Sequence, residues 1–551
     1  MKRLIPTLSI FVLFVMIFSA VTMNAQNNTP QNQSKVIQNK LQDFVEISLT
    51  TDISKLTGTD KKMIPILIEI ADIMDDLYWE EAFGNKDSLL NSLPDDAFKK
   101  FARLNYGPWE RLNNNNPFIT GVGEKPKGAN FYPKNMTKEE FAKFEDVNKT
   151  SQYTLIKRNP DGSLKCVWYH EAFAQKIQKA AELLRKAATF SDDRDFANYL
   201  NRRSEALLTD DYFQSDMAWM DMKCNSIDFV VGPIENYEDE LFGYKTAHES
   251  SILVKDKEWS AKLEKFSSML PKLQTQLPVD PKYKKEKPGN SSDLNAYDII
   301  YYSGHSNAGS KTIAINLPND EAVQAQKGSR RLQLKNTMNA KFKYILLPIS
   351  NVLIDPSQSE HVSFDAFFSN VMFHEVAHGL GVKNTINGKG LVKTALKESY
   401  SSFEEAKADV LGLFLVTKLI ESGDIKDLTI EDCYITYMAG IFRSVRFGAA
   451  SSHGKANMMC FNFFEDNKAF SRNADGTYKV DFEKMKLSVD KWAAKVLMIE
   501  GNGDYDAAVS YLKDNSIVRP DLQTDIDKLK TANIPVDIYF KQGVEVLGLT
   551  K

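Results

Sequence analysis

The chain has 551 residues, of which 43% are hydrophobic and 26% charged, a composition typical of a soluble globular protein with a large core. Its net charge of −4 and isoelectric point near 6.1 provide no overall positive field, which excludes nucleic-acid binding through bulk charge. The length indicates roughly two to four domain-sized units or one large two-lobed enzyme.

The N-terminus has the pattern of a signal peptide. Two basic residues precede an apolar stretch over residues 8–21, and cleavage after Ala25 is expected before a polar segment. We predict a signal peptide over residues 1–25, a disordered segment over residues 26–34, and secretion across the inner membrane into the periplasm. The alternative is a retained membrane anchor. No later stretch reaches the length that a bilayer requires.

Apolar residues recur at three- and four-residue intervals from Val36 to Phe101, which predicts helices. Glycine, proline and asparagine concentrate between Tyr106 and Pro133 and predict a long loop. Helical patterns return over residues 138–144 and 171–208. The first part of the chain is therefore predicted to be mostly helical.

Strand patterns cluster in the middle of the chain, at residues 229–231, 312–317 and 344–348. Four prolines between Leu270 and Asn295 indicate a connection between two lobes. From Phe364 onward, helix signals dominate to the end.

These elements predict an α+β, mostly helical fold with two lobes across a cleft. A mixed α/β lobe is expected over residues 35–350, with an excursion between the lobes near residues 255–295. A helical lobe is expected over residues 351–551.

The chain has four cysteines and none forms a C-x-x-C pair: Cys166, Cys224, Cys433 and Cys460. Their spacing excludes a cysteine zinc cluster. We predict that they are mainly buried apolar residues, although the sequence also allows two disulfides.

Histidine is scarce, with seven in the chain, and only His374 combines a following glutamate with a second histidine four residues on. Residues four apart share a helix face, so His374 and His378 can point two imidazoles at one ion. Glu375 lies about 100° around the helix, where a carboxylate can take a proton from metal-activated water. The alternative is a pair of core histidines beside a surface glutamate.

A catalytic zinc needs a third protein ligand and one open position. The next helical pattern offers Glu405 as that ligand, with Asp409 one turn later on the same face. Asp409 and Glu404 are predicted to hydrogen-bond the ligating imidazoles. The alternative is structural, because Ser402 and Glu405 also have the spacing of a capping box.

Four segments, in this order along the chain, resemble the dipeptidyl peptidase III family of zinc exopeptidases, in particular its shorter bacterial relatives. They are Glu235–Asp239, Ile315–Asp320, the His374–His378 run with Glu404–Asp409, and His453–Asn457.

The resemblance implies zinc binding by His374, His378 and Glu405, with Glu375 as general base. Two departures from the family pattern stand out. The usual motif has one more residue between its histidines, whereas this chain has the pentapeptide form that some shorter relatives share. The last acidic residue of the second motif is usually glutamate, whereas Asp409 is one methylene shorter.

The resemblance also implies roles outside the metal site. Tyr237 and His453 match positions that contact the scissile carbonyl and stabilise the tetrahedral intermediate. Glu235, Asn316 and Asn319 match positions that anchor the free amine and backbone of the peptide. The family fold implies that the mixed lobe contains a small β-barrel and that the all-α lobe carries the zinc site.

We therefore predict a zinc-dependent exopeptidase that releases dipeptides from the N-terminus of oligopeptides. No nucleic-acid partner and no stable membrane insertion after signal cleavage are expected, and the oligomeric state is left open. The alternatives are another zinc hydrolase, such as an endopeptidase or a non-peptide amidase, and a catalytically weak peptide-binding protein.

Overall fold

The computed structural model describes residues 30–288 and 292–549. The predicted signal peptide lies outside the described residues. Within the described ranges, no helix combines the length and the apolar character needed to cross a bilayer.

Helices form most of the regular structure. They are α1 (Pro30–Gln42), α2 (Gly58–Ala82), α3 (Lys86–Ser92), α4 (Asp96–Asn105), α5 (Lys138–Lys143), α6 (Tyr169–Ala172), α7 (Ala174–Ala188), α8 (Arg194–Thr209), α9 (Phe213–Asp221), α10 (Lys257–Ser268), α11 (Leu270–Gln276), α12 (Glu321–Lys327), α13 (Lys335–Lys341), α14 (Leu347–Leu353), α15 (Phe364–Ala377), α16 (Val392–Leu396), α17 (Tyr400–Glu421), α18 (Ile430–Val445), α19 (Ser452–Asp466), α20 (Phe482–Asn502), α21 (Tyr505–Asn515) and α22 (Pro520–Thr531).

The strands are β1 (Phe44–Ser48), β2 (Trp109–Glu110), β3 (Asn116–Pro117), β4 (Thr154–Arg158), β5 (Leu164–Trp168), β6 (Ile227–Glu235), β7 (Ala247–Lys255), β8 (Ser292–Gly304), β9 (Ala314–Leu317), β10 (Ser329–Leu334), β11 (Phe470–Arg472), β12 (Tyr478–Val480) and β13 (Asp537–Lys541). The central sheet has five strands in the order β6-β7-β8-β10-β9. β8 and β10 run parallel, and the other neighbouring pairs are antiparallel.

The central sheet is open rather than closed. β6 and β9 are its two edges, and the described strands form no closed barrel. The fold is therefore a mostly helical α+β fold as predicted, but the small β-barrel that the resemblance implied is corrected to an open mixed sheet. Its strands carry the residues expected to contact the peptide.

Two hydrophobic cores organise the molecule. One contains the central sheet together with α2 and α7–α9, and the other contains the helices from α13 onward. The chain passes from the sheet core to the helical core between Leu334 and Met338, earlier than the predicted boundary at residue 350. Leu263–Leu277 also pack in the helical core, so this segment leaves the sheet half before β8 returns to it.

Two local predictions are wrong. Residues 344–348 were predicted as a strand, but they lie in a π-helical turn, Phe342–Leu346, and the start of α14. A short apolar run fits a buried helix as well as a strand, and α13 continues directly into this one. Residues 30–34 were predicted to be disordered, but they begin α1, which buries Ile37. Residues 26–29 lie outside the described residues.

The four cysteines are free in the structure. Cys433 and Cys460 are buried, Cys166 is partly buried and Cys224 is exposed. The prediction of mainly buried apolar residues therefore holds for the two in the helical core.

Strand β13, near the C-terminal end of the described chain, forms a two-stranded sheet with β1. It pairs in parallel with β1, with Phe44 opposite Asp537. Residues near the two ends of the described chain thus form one two-stranded sheet. Ile538 of β13 belongs to the helical core, whereas Val544, just beyond it, belongs to the sheet core.

Candidate active site

Helix α15 positions the two histidines of the H-E-V-A-H run. Ser363 caps its N-terminus by accepting a hydrogen bond from the Ala366 N–H. Buried aromatic residues, among them Phe373, hold the helix in the core. His374 lies in the last turn and His378 ends the helix, so the two rings share one face, with centroids 5.0 Å apart.

Helix α17 supplies the acidic residues. It begins at Tyr400, so Ser402 and Glu405 lie inside the helix, and its N-cap residue is Ser399. The capping-box alternative is therefore excluded. Glu405 and Asp409, one turn apart, lie on the face of α17 that meets α15.

A glycine lets the two helices approach. A Cβ at Gly412 of α17 would lie 2.7 Å from the backbone nitrogen of His374 and 2.9 Å from the carbonyl carbon of Phe373. Real side chains do not tolerate such contacts, so Gly412 sets the distance across which the α17 carboxylates reach the imidazoles. Sequence analysis missed this residue, because a glycine within a helical pattern gives no sign of what lies opposite.

The carboxylate of Glu405 lies among three imidazoles. Its Oε2 is 3.3 Å from His374 Nε2, 3.9 Å from His378 Nε2 and 3.1 Å from His453 Nε2. This oxygen is buried and has no hydrogen bond of good geometry among the described residues. The predicted ligand group is thus brought together.

The donor set fits a zinc ion. His374, His378 and Glu405 each offer one ligand atom, and these atoms lie within 4.8 Å of one another. Two imidazole nitrogens and one carboxylate oxygen, with room for a further ligand, are the set that catalytic zinc sites use. An oxygen that is buried without a hydrogen bond is costly unless a cation satisfies it.

The other ring nitrogens are held by carboxylates. His374 Nδ1 lies 2.7 Å from Asp409 Oδ1, and His378 Nδ1 lies 2.9 Å from Glu404 Oε1. A carboxylate accepts the proton of Nδ1, which leaves the Nε2 lone pair free for a metal. Asp409 and Glu404 therefore occupy the positions that the sequence predicted for them.

These carboxylates are themselves fixed. Asn457 donates a hydrogen bond to Asp409 Oδ2 at 2.7 Å, and buried Lys407 donates to Glu404 at 2.8 Å. Burial alone would raise the pKa of Glu404, but the charges of Lys407 and His378 lower it to about 2. Glu404 is thus held ionised. Asn457 was missed as a site residue, although it follows His453 by one helical turn, a spacing that could have indicated it.

Glu375, the predicted general base, is contacted from the sheet half. Arg331 of β10 donates a hydrogen bond to the Glu375 carbonyl oxygen, and its Nη1 lies 3.7 Å from Glu375 Oε2. Sequence analysis missed Arg331 because β10 was not predicted. This contact joins the central sheet to the end of α15 beside the candidate metal ligands.

His453 lies in the first turn of α19 and reaches the same centre. Its ring is 6.0 Å from the His374 ring, and its side chain remains 65% exposed. The nearby Glu405 carboxylate raises the pKa of His453. His453 is therefore the one predicted carbonyl-contacting residue that lies next to the candidate ligands.

The remaining predicted residues form a second group on the sheet half. Tyr237 is 70% exposed and its ring stacks on His305 with centroids 5.8 Å apart. Asn319 hydrogen-bonds the Glu235 carboxylate and donates to the Ile234 carbonyl at 3.1 Å. Among the described residues, no hydrogen bond or ion pair joins this group directly to the imidazoles.

Electrostatics in the second group favour a cation. Burial and the charge of Glu249 raise the pKa of Glu235. The charge of Glu235, together with burial, raises the pKa of Tyr237. Glu249 Oε2 lies 3.4 Å from His305 Nδ1. His305 is a further residue of this group that was not predicted from the sequence.

Asn316 links the two groups indirectly. It is exposed on β9 and pairs in register with Arg331 of β10, the residue that contacts Glu375. The sheet edge that carries Asn316 and Asn319 is thus joined to the candidate base through one arginine.

The comparisons with known proteins show which family the chain resembles. The model of peptidase family M49 matches residues 145–390. The solved structure of DPP III from Caldithrix abyssi is 37% identical with a TM-score of 0.88, and the match covers 92% of this chain and 99% of that chain. The dipeptidyl-peptidase III structure from Corallococcus sp. strain EGB is 36% identical with a TM-score of 0.76, over 92% of this chain and 97% of that chain.

A plant protein is also similar over most of its length. Nudix hydrolase 3 of Arabidopsis thaliana is 31% identical over 588 residues, which covers 95% of this chain and 76% of that protein. The remainder of the plant protein has no counterpart in the match.

Proposed function

The chain belongs to peptidase family M49, the family of dipeptidyl peptidase III, and on this premise we propose that it is a zinc-dependent exopeptidase that releases dipeptides from the N-terminus of oligopeptides. The observation that carries the proposal is the convergence of His374, His378 and Glu405, with a carboxylate on the second nitrogen of each imidazole. Such an arrangement costs desolvation energy that a bound cation offsets.

His374, His378 and Glu405 would hold the zinc. Zinc in this position supplies Lewis acidity, which makes water nucleophilic near neutral pH and polarises a carbonyl group. Asp409 and Glu404 keep the two imidazoles in the tautomer that this binding requires.

Glu375 performs the proton transfers. Its carboxylate accepts the proton of the attacking water and returns it to the nitrogen of the leaving peptide. Arg331 holds the Glu375 backbone and lies 3.7 Å from its carboxylate, so the base is oriented from the sheet side.

Tyr237 and His453 stabilise the oxyanion of the tetrahedral intermediate by donating hydrogen bonds. His453 Nε2 lies 3.1 Å from Glu405, beside the candidate ligands. Tyr237 is an exposed side chain whose hydroxyl has no hydrogen bond among the described residues, so it is free to donate to a peptide.

Glu235, Asn316 and Asn319 determine the length of the released fragment. A free terminal ammonium is attracted by the Glu235 carboxylate, and amide groups at the end of β9 accept and donate backbone hydrogen bonds. Anchoring of the terminal ammonium by Glu235 would set the cut after the second residue.

The test is Glu375→Gln, assayed on a dipeptidyl naphthylamide. Removing the base should lower kcat/KM roughly 10²- to 10⁴-fold while zinc content stays at wild-type level. Asp365→Asn, an exposed acid on the same helix, is the matched control and should keep wild-type activity. Wild-type hydrolysis by the Glu375 variant would refute the mechanism.

A second experiment separates exopeptidase from endopeptidase activity. Acetylating the substrate's N-terminus removes the ammonium that Glu235 binds, so hydrolysis should be lost. Unchanged cleavage of the acetylated peptide would support an endopeptidase. Tight peptide binding without turnover in the zinc-loaded protein would support a peptide-binding protein.

We also propose export to the periplasm, which rests on the sequence pattern of residues 1–25 alone. N-terminal sequencing of the protein recovered from the periplasm should begin at Gln26. A protein that keeps Met1 and stays in the cytoplasm would contradict this.

A further inference from the structure

A cavity of about 260 Å³ adjoins the candidate base Glu375 and His453, one of the two predicted carbonyl-contacting residues. It is bounded by Glu375 and His453 at one end, and Ala314, the first residue of β9, contributes to its wall. Its apolar lining residues are Ile313, Phe367, Val371, Tyr437 and Ile441. A side chain of a bound peptide next to the reacting centre can enter it.

Arg443 of α18 lines this cavity without an anionic partner. Its Nε is buried and makes no hydrogen bond, and within the described ranges the guanidinium forms no ion pair within 4.0 Å. The guanidinium carbon Cζ of Arg443 lies 5.7 Å from the centroid of the Phe367 ring. The charge of Asp537 acts on the pKa of Arg443, but the Asp537 carboxylate already forms an ion pair with Lys341 at 3.2 Å.

An unpaired guanidinium beside apolar side chains is a costly arrangement. Its Nε–H donor loses water on burial, and no acceptor among the described residues replaces that water. A carboxylate restores both the charge balance and a bidentate pair of hydrogen bonds. The second buried unpartnered atom of the cavity, Asn370 Oδ1, is an acceptor that a backbone N–H of the same ligand can satisfy.

Resting on the proposed function, we propose that Arg443 is a specificity-determining residue that binds a carboxylate on the leaving side of the scissile bond. The carboxylate belongs either to an acidic side chain or to the free C-terminus of a short peptide.

The position along the substrate follows from β9. Asn319, which hydrogen-bonds the amine anchor Glu235, follows the end of β9, whereas Ala314 at its beginning lines the cavity. An extended chain rises about 3.3 Å per residue, so a dipeptide spans roughly 7 Å, less than the roughly 10 Å along β9 from Leu317 to Ala314. The cavity therefore lies beyond the second residue.

The test measures binding rather than turnover. Pentapeptides that differ only in glutamate, glutamine or leucine at the third or fourth position are titrated calorimetrically into zinc-loaded Glu375→Gln protein. If a side chain supplies the carboxylate, the glutamate peptide should bind roughly tenfold or more tightly than its glutamine counterpart at one of the two positions. In Glu375→Gln/Arg443→Met the ratio should fall to about one, and in Glu375→Gln/Arg443→Lys part of it should remain.

Amidated peptides distinguish the two sources of the carboxylate. A glutamate preference that persists after C-terminal amidation assigns the ligand to a side chain, whereas an affinity that amidation lowers equally for all the peptides, and only when Arg443 is present, assigns it to the C-terminus. Binding that depends on neither the glutamate side chain nor the free C-terminus, or a dependence that survives in the Arg443→Met protein, would overturn the proposal. Thermal unfolding of each variant, together with the Arg443→Gln substitution, separates misfolding from lost recognition.

Hydrolysis by the wild-type protein is measured separately, so the two proposals can fail independently. A protein that prefers glutamate peptides but cleaves none contradicts the peptidase function alone. A peptidase without this preference contradicts the role of Arg443 alone.

Discussion

The two groups of site residues are held very differently. In the helical half, His374 and His378 each have one ring nitrogen fixed by a carboxylate, and those carboxylates are fixed in turn by Asn457 and Lys407. In the sheet half, the side chain of Tyr237 is 70% exposed and stacks on a single ring. The metal-binding group is thus preorganised, whereas the peptide-contacting group keeps polar atoms free for a ligand.

This difference indicates which group of site residues is ordered by folding and which still has to be ordered when a substrate binds. The folded core sets the geometry of the candidate metal ligands in the absence of substrate. Under the proposed function, peptide binding at the second group would carry the entropic cost of fixing its exposed side chains. Substitutions in the first group should therefore affect metal content and stability, and substitutions in the second should affect mainly kinetics and leave metal content unchanged.

The strongest test of the comparison is Glu405→Ala. It removes the carboxylate of the candidate ligand group and leaves the imidazoles without the oxygen at 3.3 Å and 3.9 Å. Zinc affinity should fall by much more than the roughly 10- to 100-fold typical for losing a residue that only supports a ligand. Zinc content after dialysis, measured by atomic emission, checks this, and Asp409→Asn should give the smaller loss. Full zinc occupancy in the alanine variant would show that the metal lies elsewhere.

Tyr237→Phe should leave zinc content and thermal stability unchanged. It removes one hydroxyl from an exposed ring while the stacking on His305 remains. Losing one donor to the oxyanion should lower kcat roughly 10²-fold. Steady-state kinetics beside zinc analysis checks this. A variant that loses its metal would show that the two groups are not independent.

Gly412→Ala tests whether the helix separation controls the metal group. The new methyl group must push α17 from the His374 backbone, which should cost about 1–3 kcal/mol of stability. Zinc affinity should fall by roughly tenfold as Glu405 moves. Gly440→Ala is the matched control, because a Cβ there meets nothing within 4 Å, and its gain in helix propensity is worth up to about 1 kcal/mol. Equal unfolding temperatures for the two variants would contradict the role of Gly412.

The smallest effect is a pH dependence in the peptide group. The pKa of Glu235 is raised, so its carboxylate takes up a proton at a higher pH than an ordinary glutamate. As pH falls through that pKa, attraction for the substrate ammonium is lost and KM should rise a few-fold. Glu249, His305 and Tyr237 also face this site. The rise should disappear in Glu235→Gln, and a KM profile that is unchanged by this substitution would exclude Glu235 as the anchor.

The same shift has a definite sign for stability. A raised carboxyl pKa means that Glu235 contributes stability at low pH, which is lost as pH rises through the folded-state pKa. Glu235→Gln should therefore unfold at a slightly higher temperature than the wild type at pH 8. At acidic pH, where the wild-type carboxyl is protonated, the two unfolding temperatures should agree.

How much of this could be predicted depends on the range of the interactions. His374, His378 and Glu375 follow from helical spacing, and Glu405 with Asp409 follows from the next helix, because residues one turn apart share a face. Strands β7, β8 and β10 were missed, since their burial and pairing depend on distant segments. Without β10, nothing in the sequence places Arg331 beside Glu375.

The same limit applies to Gly412 and Arg443. Each is ordinary in its own helix, and its importance lies in what another helix or a cavity wall places opposite. Composition and periodicity describe one segment at a time, so they cannot show which glycine meets a backbone or which arginine lacks an acid.

The pairing of β1 with β13 has a consequence for biogenesis. Phe44 and Asp537, opposite each other in the register, are 493 positions apart. A ribosome must therefore finish almost the entire polypeptide before this ladder can form, and closing so long a loop makes it a late step of folding. Until then the chain can form its helices and central sheet, but not the two-stranded sheet of β1 and β13.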